Sequence, residues 1–194
     1  MSKIIAIVGP SGVGKTSLVR ALCSRGRLAA GLEEHARRPF QALFEQDRRY
    51  ALANQLDYLI FRAAQEAELR RQAGTAVVDG GLDLDFHGFT RLFRARGWLS
   101  EAEYELCSRF YLLARSLLPP PETIVALSAS QQTLRSRLAG RERINIASEQ
   151  DAPLLQSSLE EWLASRPAGQ VIRLDVTGEP ADYAHSVEVI LGCV

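Results

Sequence analysis

The residues best suited to chemistry stand near the start of the chain, in Gly9-Pro10-Ser11-Gly12-Val13-Gly14-Lys15-Thr16, with Ser17 directly after. The order G-x-x-x-x-G-K-[ST] is what a backbone needs to wrap a polyphosphate. Glycines let successive N–H groups turn inward on the anion, and a helix starting near Lys15 adds the positive end of its dipole. Lys15 then reaches the terminal phosphates and Thr16 offers a hydroxyl to Mg²⁺. A chance glycine-rich turn would not come with both flanks that this mechanism requires. Here the apolar run Ile4-Ile5-Ala6-Ile7-Val8 precedes the loop, and helix-forming residues follow it. The expected ligand is therefore a nucleoside triphosphate with Mg²⁺. Asp79 closes the apolar run Ala76-Val77-Val78-Asp79, from which a carboxylate can reach the metal directly or through water. Its alternative role is to cap the next helix.

Strands must alternate with helices for these groups to meet. Lys3 to Val8, Thr75 to Asp79, Thr123 to Leu127 and Gln170 to Val176 read as buried parallel strands, and Leu28 to Leu32 is a weaker fifth. Helix formers fill Lys15 to Arg25, Phe40 to Gln72, Glu101 to Leu117, Gln131 to Arg141, Ala152 to Ser165 and Pro180 to Leu191. The expected fold is α/β, a three-layer sandwich with a parallel five-stranded sheet and a helical lid. One domain spans 1–194, because Pro119-Pro120-Pro121 is a stop between a helix and a strand and not a linker.

Composition narrows the partners. The 23 basic and 23 acidic residues cancel, so there is no uniform field to draw the protein onto nucleic acid or an anionic membrane, and a small-molecule partner is favoured. No stretch approaches the ~20 apolar residues of a membrane span. Cys23, Cys107 and Cys193 match neither a C-x-x-C nor a zinc spacing, which points to a reducing compartment and a cytoplasmic protein. His35, His87 and His185 have no metal spacing either. Trp98, Trp162 and the apolar face of Glu101 to Leu117 suit core or subunit contacts.

Asp85-Phe86-His87-Gly88 matches the loose D-x-x-G of GTPases, but the Asn-Lys-x-Asp segment that reads guanine is absent. The order and spacing of several other motifs resemble the bacterial deoxynucleoside kinases. That family has a Glu-Pro and then an Asn-Pro-aromatic after its second strand, where this chain has Glu33-Glu34 and Arg38-Pro39-Phe40. The family's aromatic helix, with a base-reading Gln and an Arg seven residues on, corresponds to Phe44, Asp47, Tyr50, Gln55 and Arg62. Asp79, Asp85 and Phe89 fall on its later acidic and Phe positions, and Arg137, Arg141 and Arg143 keep its lid pattern R-x-x-x-R-x-R. Two departures stand out: the family's Arg-Ser after the third strand is Gly80-Gly81, and an expected lid Glu is Ile146.

The resemblance implies a cytosolic kinase moving the γ-phosphoryl of ATP to the 5′-hydroxyl of a deoxyribonucleoside, a purine one by preference, and acting as a homodimer or as a heterodimer with a homologue. Glu33 would be the catalytic base, aided by Lys15 and by Arg137, Arg141 and Arg143 of a lid near 135–150. Phe44, Tyr50, Gln55, Arg62, Asp85 and Phe89 would bind substrate with Glu33, while Thr16 and Asp79 would hold the metal. The residues alone leave alternatives open. Glu33 could be a solvated acid, and the arginines a solvated surface. Gln55 and Arg62 share a helical face with Tyr58 and Leu59, yet Arg62 could be held by Asp85 or could pair with Glu66 at i+4. Gly80 vacates a cationic position that a lid arginine, Arg91 or Arg94 could refill. Two further readings remain: a weakly active or regulatory nucleotide-binding subunit, and a different P-loop small-molecule kinase.

Overall fold

The computed structural model describes residues 2–32, 38–139 and 151–193. Five strands, β1 (Lys3–Val8), β2 (Leu28–Gly31), β3 (Thr75–Asp79), β4 (Thr123–Ser128) and β5 (Val171–Asp175), form one sheet in the order β2-β3-β1-β4-β5. Every neighbouring pair is parallel. The helices are α1 (Lys15–Arg25), α2 (Pro39–Gln46), α3 (Ala51–Arg71), α4 (Leu82–Leu84), α5 (Arg91–Ala95), α6 (Glu101–Leu117), α7 (Gln131–Ala139), α8 (Ala152–Ala164) and α9 (Ala184–Gly192). A π-helical turn (Asp85–Thr90) joins α4 to α5, and a 3₁₀ turn (Arg48–Tyr50) precedes α3. No described helix is long and apolar enough to cross a membrane.

The central strand β1 shows why the sheet is covered on both faces. Successive side chains point to opposite sides. Ile5 and Ile7 meet Leu18, Val19 and Leu22 of α1 and Val187 and Ile190 of α9. Ile4, Ala6 and Val8 meet Leu69 of α3 and Leu159, Trp162 and Leu163 of α8. A third cluster lies off the sheet, where Phe44, Leu59, Phe93, Cys107 and Tyr111 pack α2, α3, α5 and α6 together.

Two sequence-based expectations need correction. The helix expected over Phe40 to Gln72 breaks at Asp47, which is extended (φ −150°, ψ 120°) and accepts the Arg49 N–H at 2.9 Å. A short carboxylate that can bond local backbone competes with a continuing helix. The helical run from Leu82 to Ala95 was not expected, since Asp83, Asp85 and Gly88 interrupt the apolar positions that bury it.

The prolines between α6 and β4 have no N–H of their own, and side chains from elsewhere serve their carbonyls. Arg70 donates to the carbonyls of Pro119 (2.8 Å) and Pro120 (3.1 Å), Arg115 to Pro119 (3.0 Å), and Gln170 to Pro121 (2.6 Å). The same two arginines clasp the buried Glu66 carboxylate at 3.1 and 2.7 Å. Arg70 also reaches Glu122, which accepts the Ile4 N–H at 2.7 Å. One buried network thus fixes α3, α6, β1 and the entry to β4. Arg70→Met should lower unfolding free energy by about 3–5 kcal/mol, because it strands buried acceptors. Glu68→Met, on the wet side of the same helix, should cost less than about 1 kcal/mol. Equal urea midpoints for the two variants would show that the network is not load-carrying.

Candidate active site

The phosphate loop leaves β1 at the centre of the sheet, where open α/β sheets bind ligands beyond their strand ends. Its glycines adopt φ +145° (Gly9), +84° (Gly12) and +107° (Gly14), a region that L side chains rarely enter. Space forbids side chains as well: a Cβ at Gly14 would lie 1.9 Å from the Tyr183 hydroxyl. The Lys15 ammonium lies over the loop and donates to the carbonyls of Gly9 and Pro10, each at 3.0 Å. Thr16 Oγ1 donates to the Asp79 carboxylate, which is buried at the end of β3, beside β1. A hydroxyl and a carboxylate side by side, next to a phosphate loop, fit Mg²⁺, which takes few protein oxygens and completes its shell with water and phosphate. Asp79 does not cap the next helix, whose N-cap is Gly81 without any side-chain bond.

Two side chains brace this loop from outside it. Arg137 on α7 donates to the Val13 carbonyl at 2.6 Å and sits over the Tyr183 ring, 5.9 Å from its centroid. Tyr183 is buried and holds φ +50° to put its hydroxyl against Gly14. No motif pointed to Tyr183; it contacts the loop only through the fold. Glu33, Arg141, Arg143 and Ile146 lie outside the described residues.

Beside the loop, α3 turns a buried polar face inward. Arg62 Nε binds Asp85 Oδ2 at 2.9 Å, with both side chains almost wholly enclosed. The competing i+4 partner, Glu66, belongs to Arg70 and Arg115 instead. Gln55 donates Nε2 to the Asp85 carbonyl at 3.1 Å, and Thr90 Oγ1 donates to that same carbonyl at 3.0 Å. Tyr58 donates to Gln41 of α2 at 2.7 Å. Gln65, which belongs to none of the motifs, accepts from Arg62 Nη1 at 3.4 Å and donates to the Leu32 carbonyl at 2.7 Å. Its place three residues after Arg62 was the available signal.

The other expected substrate contacts lie apart from this group. Phe44 is core, 1% exposed and stacked on Phe93 with ring centroids 4.8 Å apart. Tyr50 is half-buried beside that cluster, with its hydroxyl bonded to Arg49. Phe89 packs into the sheet-side core near Trp162.

Gly80 differs from the sequence-based expectation in a way that matters. It has φ +86°, and a Cβ there would meet Arg62 Nη2 at 3.3 Å. The guanidinium of Arg62 therefore lies beside the backbone at the end of β3, where the resemblance had suggested a vacated cation. Arg91 and Arg94 are engaged elsewhere, with Glu161 at 2.6 Å and Glu101 at 2.9 Å.

The sheet order, the central phosphate loop and the enclosed polar helix face beside it define a P-loop kinase. The chain belongs to the deoxynucleoside kinase family, whose sequence profile matches residues 5–188. It is 23% identical over 180 residues to a deoxyadenosine/deoxycytidine kinase of Bacillus subtilis, an alignment covering 90% of this chain and 83% of that one. Its fold is that of a deoxyadenosine kinase from M. mycoides solved with the products dCMP and a flexible dCDP, at TM-score 0.81, 19% identity and 97% coverage of both chains. The same enzyme with bound dATP superposes at TM-score 0.77, again at 19% identity and 97% coverage of both chains.

The geometry at Gly80 reverses the simplest engineering expectation. Gly80→Arg should lower both Tm and kcat, since an L residue there carries backbone strain on the order of 1–3 kcal/mol and crowds Arg62. Gly80→Ala should show the strain with less crowding. A rise in kcat for Gly80→Arg would mean that the position is an empty cationic seat after all.

Proposed function

We propose that this kinase transfers the γ-phosphoryl of ATP to the 5′-hydroxyl of a deoxyribonucleoside whose base carries an exocyclic amino group, deoxyadenosine above all. The observation carrying the base preference is the Gln55–Asp85 bond. A backbone carbonyl only accepts, so the Gln55 NH₂ must face it, and the amide oxygen is left to accept from the ligand. An acceptor at that place suits adenine or cytosine, the bases in the name of the Bacillus relative. Arg62, held by Asp85 and Gln65, adds a fixed donor fork.

Thr16 and Asp79 would hold Mg²⁺, which on binding screens the charge of the phosphates. Lys15 turns from the loop carbonyls to the terminal phosphates. Glu33, the next residue in sequence after Leu32, takes the 5′-hydroxyl proton as oxygen attacks phosphorus and ADP leaves. Arg141 and Arg143, with Arg137, close on the phosphoryl group, so that one domain with an arginine-rich 135–150 segment performs the reaction. The active form is a dimer in a cytoplasmic setting. Leu106, Leu113 and Leu117 on α6 and Ile60 on α3 are 42%, 60%, 74% and 53% exposed, an apolar surface that a second copy would cover. The three cysteines are unpaired, as a reducing compartment requires.

The test is turnover of the four deoxyribonucleosides by the pure protein with ATP and Mg²⁺. Deoxyadenosine should be phosphorylated, and Glu33→Gln should lower kcat about a hundredfold or more while nucleoside affinity stays within a few fold. No turnover of any nucleoside, combined with a Tm raised by ATP, would leave a nucleotide-binding subunit in place of an enzyme.

A further inference from the structure

At about 100° per residue, Asn54, Gln55, Tyr58, Arg62 and Gln65 fall within one arc of roughly 100° on α3. That arc is polar although it faces the interior. Four of the five have protein partners: Gln55 and Arg62 on Asp85, Tyr58 on Gln41, and Gln65 on Leu32. Asn54 is the exception. It is 1% exposed, and neither its Nδ2 nor its Oδ1 has a hydrogen-bond partner among the described residues. Other side chains with an unpaired buried atom, such as Arg38, Asp57 and Gln170, have a second atom bonded.

An amide enclosed in this way is a cost to the fold, since each unsatisfied buried group loses its water without replacement. Folding alone does not call for it; an apolar side chain would occupy the position without that loss. The position is informative, because Asn54 adjoins Gln55 in sequence and lies one turn before Tyr58 on the same side of the helix.

We infer that Asn54 is a second base-reading amide, a specificity-determining residue that pairs with the amino group and adjacent ring nitrogen of an adenine-type base. This rests on the deoxynucleoside kinase reading above. An exocyclic amino group has two N–H donors. One meets Oε1 of Gln55, and the other meets Oδ1 of Asn54, while Asn54 Nδ2 donates to the neighbouring ring nitrogen. Asparagine and glutamine use this two-point match wherever an amino group stands beside a ring nitrogen in adenine. A site built to satisfy a base in this way rejects analogues that leave its own polar groups unpaired.

The test compares deoxyadenosine with purine 2′-deoxyriboside, which lacks the amino group, in the wild type and in Asn54→Leu. The wild type should prefer deoxyadenosine in kcat/KM by about a hundredfold, and Asn54→Leu should shrink that ratio about tenfold. The loss should fall on the KM for nucleoside, with kcat and the KM for ATP within a few fold. The Tm of the ligand-free variant should be equal to the wild type or higher, since an unpaired amide has gone, whereas a structural amide would lower Tm on removal. If Asn54→Leu does not fold, Asn54→Ala gives the same ratio without added bulk. An unchanged ratio in a folded variant overturns the role of Asn54 while leaving the kinase intact. Failure of the wild type to phosphorylate or be stabilised by any deoxyribonucleoside overturns the kinase reading itself.

Discussion

The candidate acceptor site depends on one buried ion pair. Asp85 uses its carboxylate to hold Arg62 and its carbonyl to receive both Gln55 and Thr90. The Thr90 bond lies within the π-helical turn, so the irregular backbone and the polar face of α3 are fixed by the same residue. Buried ion pairs seldom add net stability, because desolvation offsets the attraction. They do fix geometry when every lone pair and proton is used, and here Gln65 extends the set to Leu32, the residue after β2. The stability needed to hold these polar groups comes from elsewhere: from the doubly covered sheet and the aromatic cluster that fastens α5 and α6 beside α3.

What could be read from sequence divides along the range of the interactions. The phosphate loop was legible because its requirements are local: glycines where φ must be positive, a lysine and a hydroxyl at the start of a helix. The strands were legible because sheets covered on both faces produce unbroken apolar runs. The pairing of Arg62 with Asp85 was one of two open readings, and only the engagement of Glu66 by Arg70 and Arg115 decides between them. Tyr183 was illegible for the opposite reason, and Gln65 offered only its i+3 spacing from Arg62. Each acts on a partner set by the fold.

Gly80 shows how a substitution inferred from resemblance can change meaning once the backbone is known. Set against a family pattern, a glycine in place of an arginine looks like a missing charge. With its φ and neighbours known, it is a backbone position that lets another arginine approach. The same holds for Phe44, whose position in a motif suggested substrate contact and whose packing on Phe93 and Trp98 places it in the core.

The contact between Tyr183 and Gly14 joins two segments far apart in sequence at the phosphate loop. Tyr183, the N-cap of α9, sits where the loop's last glycine would otherwise carry a side chain, and Arg137 ties that ring to the loop carbonyl. Docking of α9 and the shape of the phosphate loop are therefore one equilibrium. By reciprocity, whatever a bound triphosphate gains from an ordered loop is returned as protection of the C-terminal helix against fraying, and a change in that helix alters nucleotide affinity without touching the nucleotide.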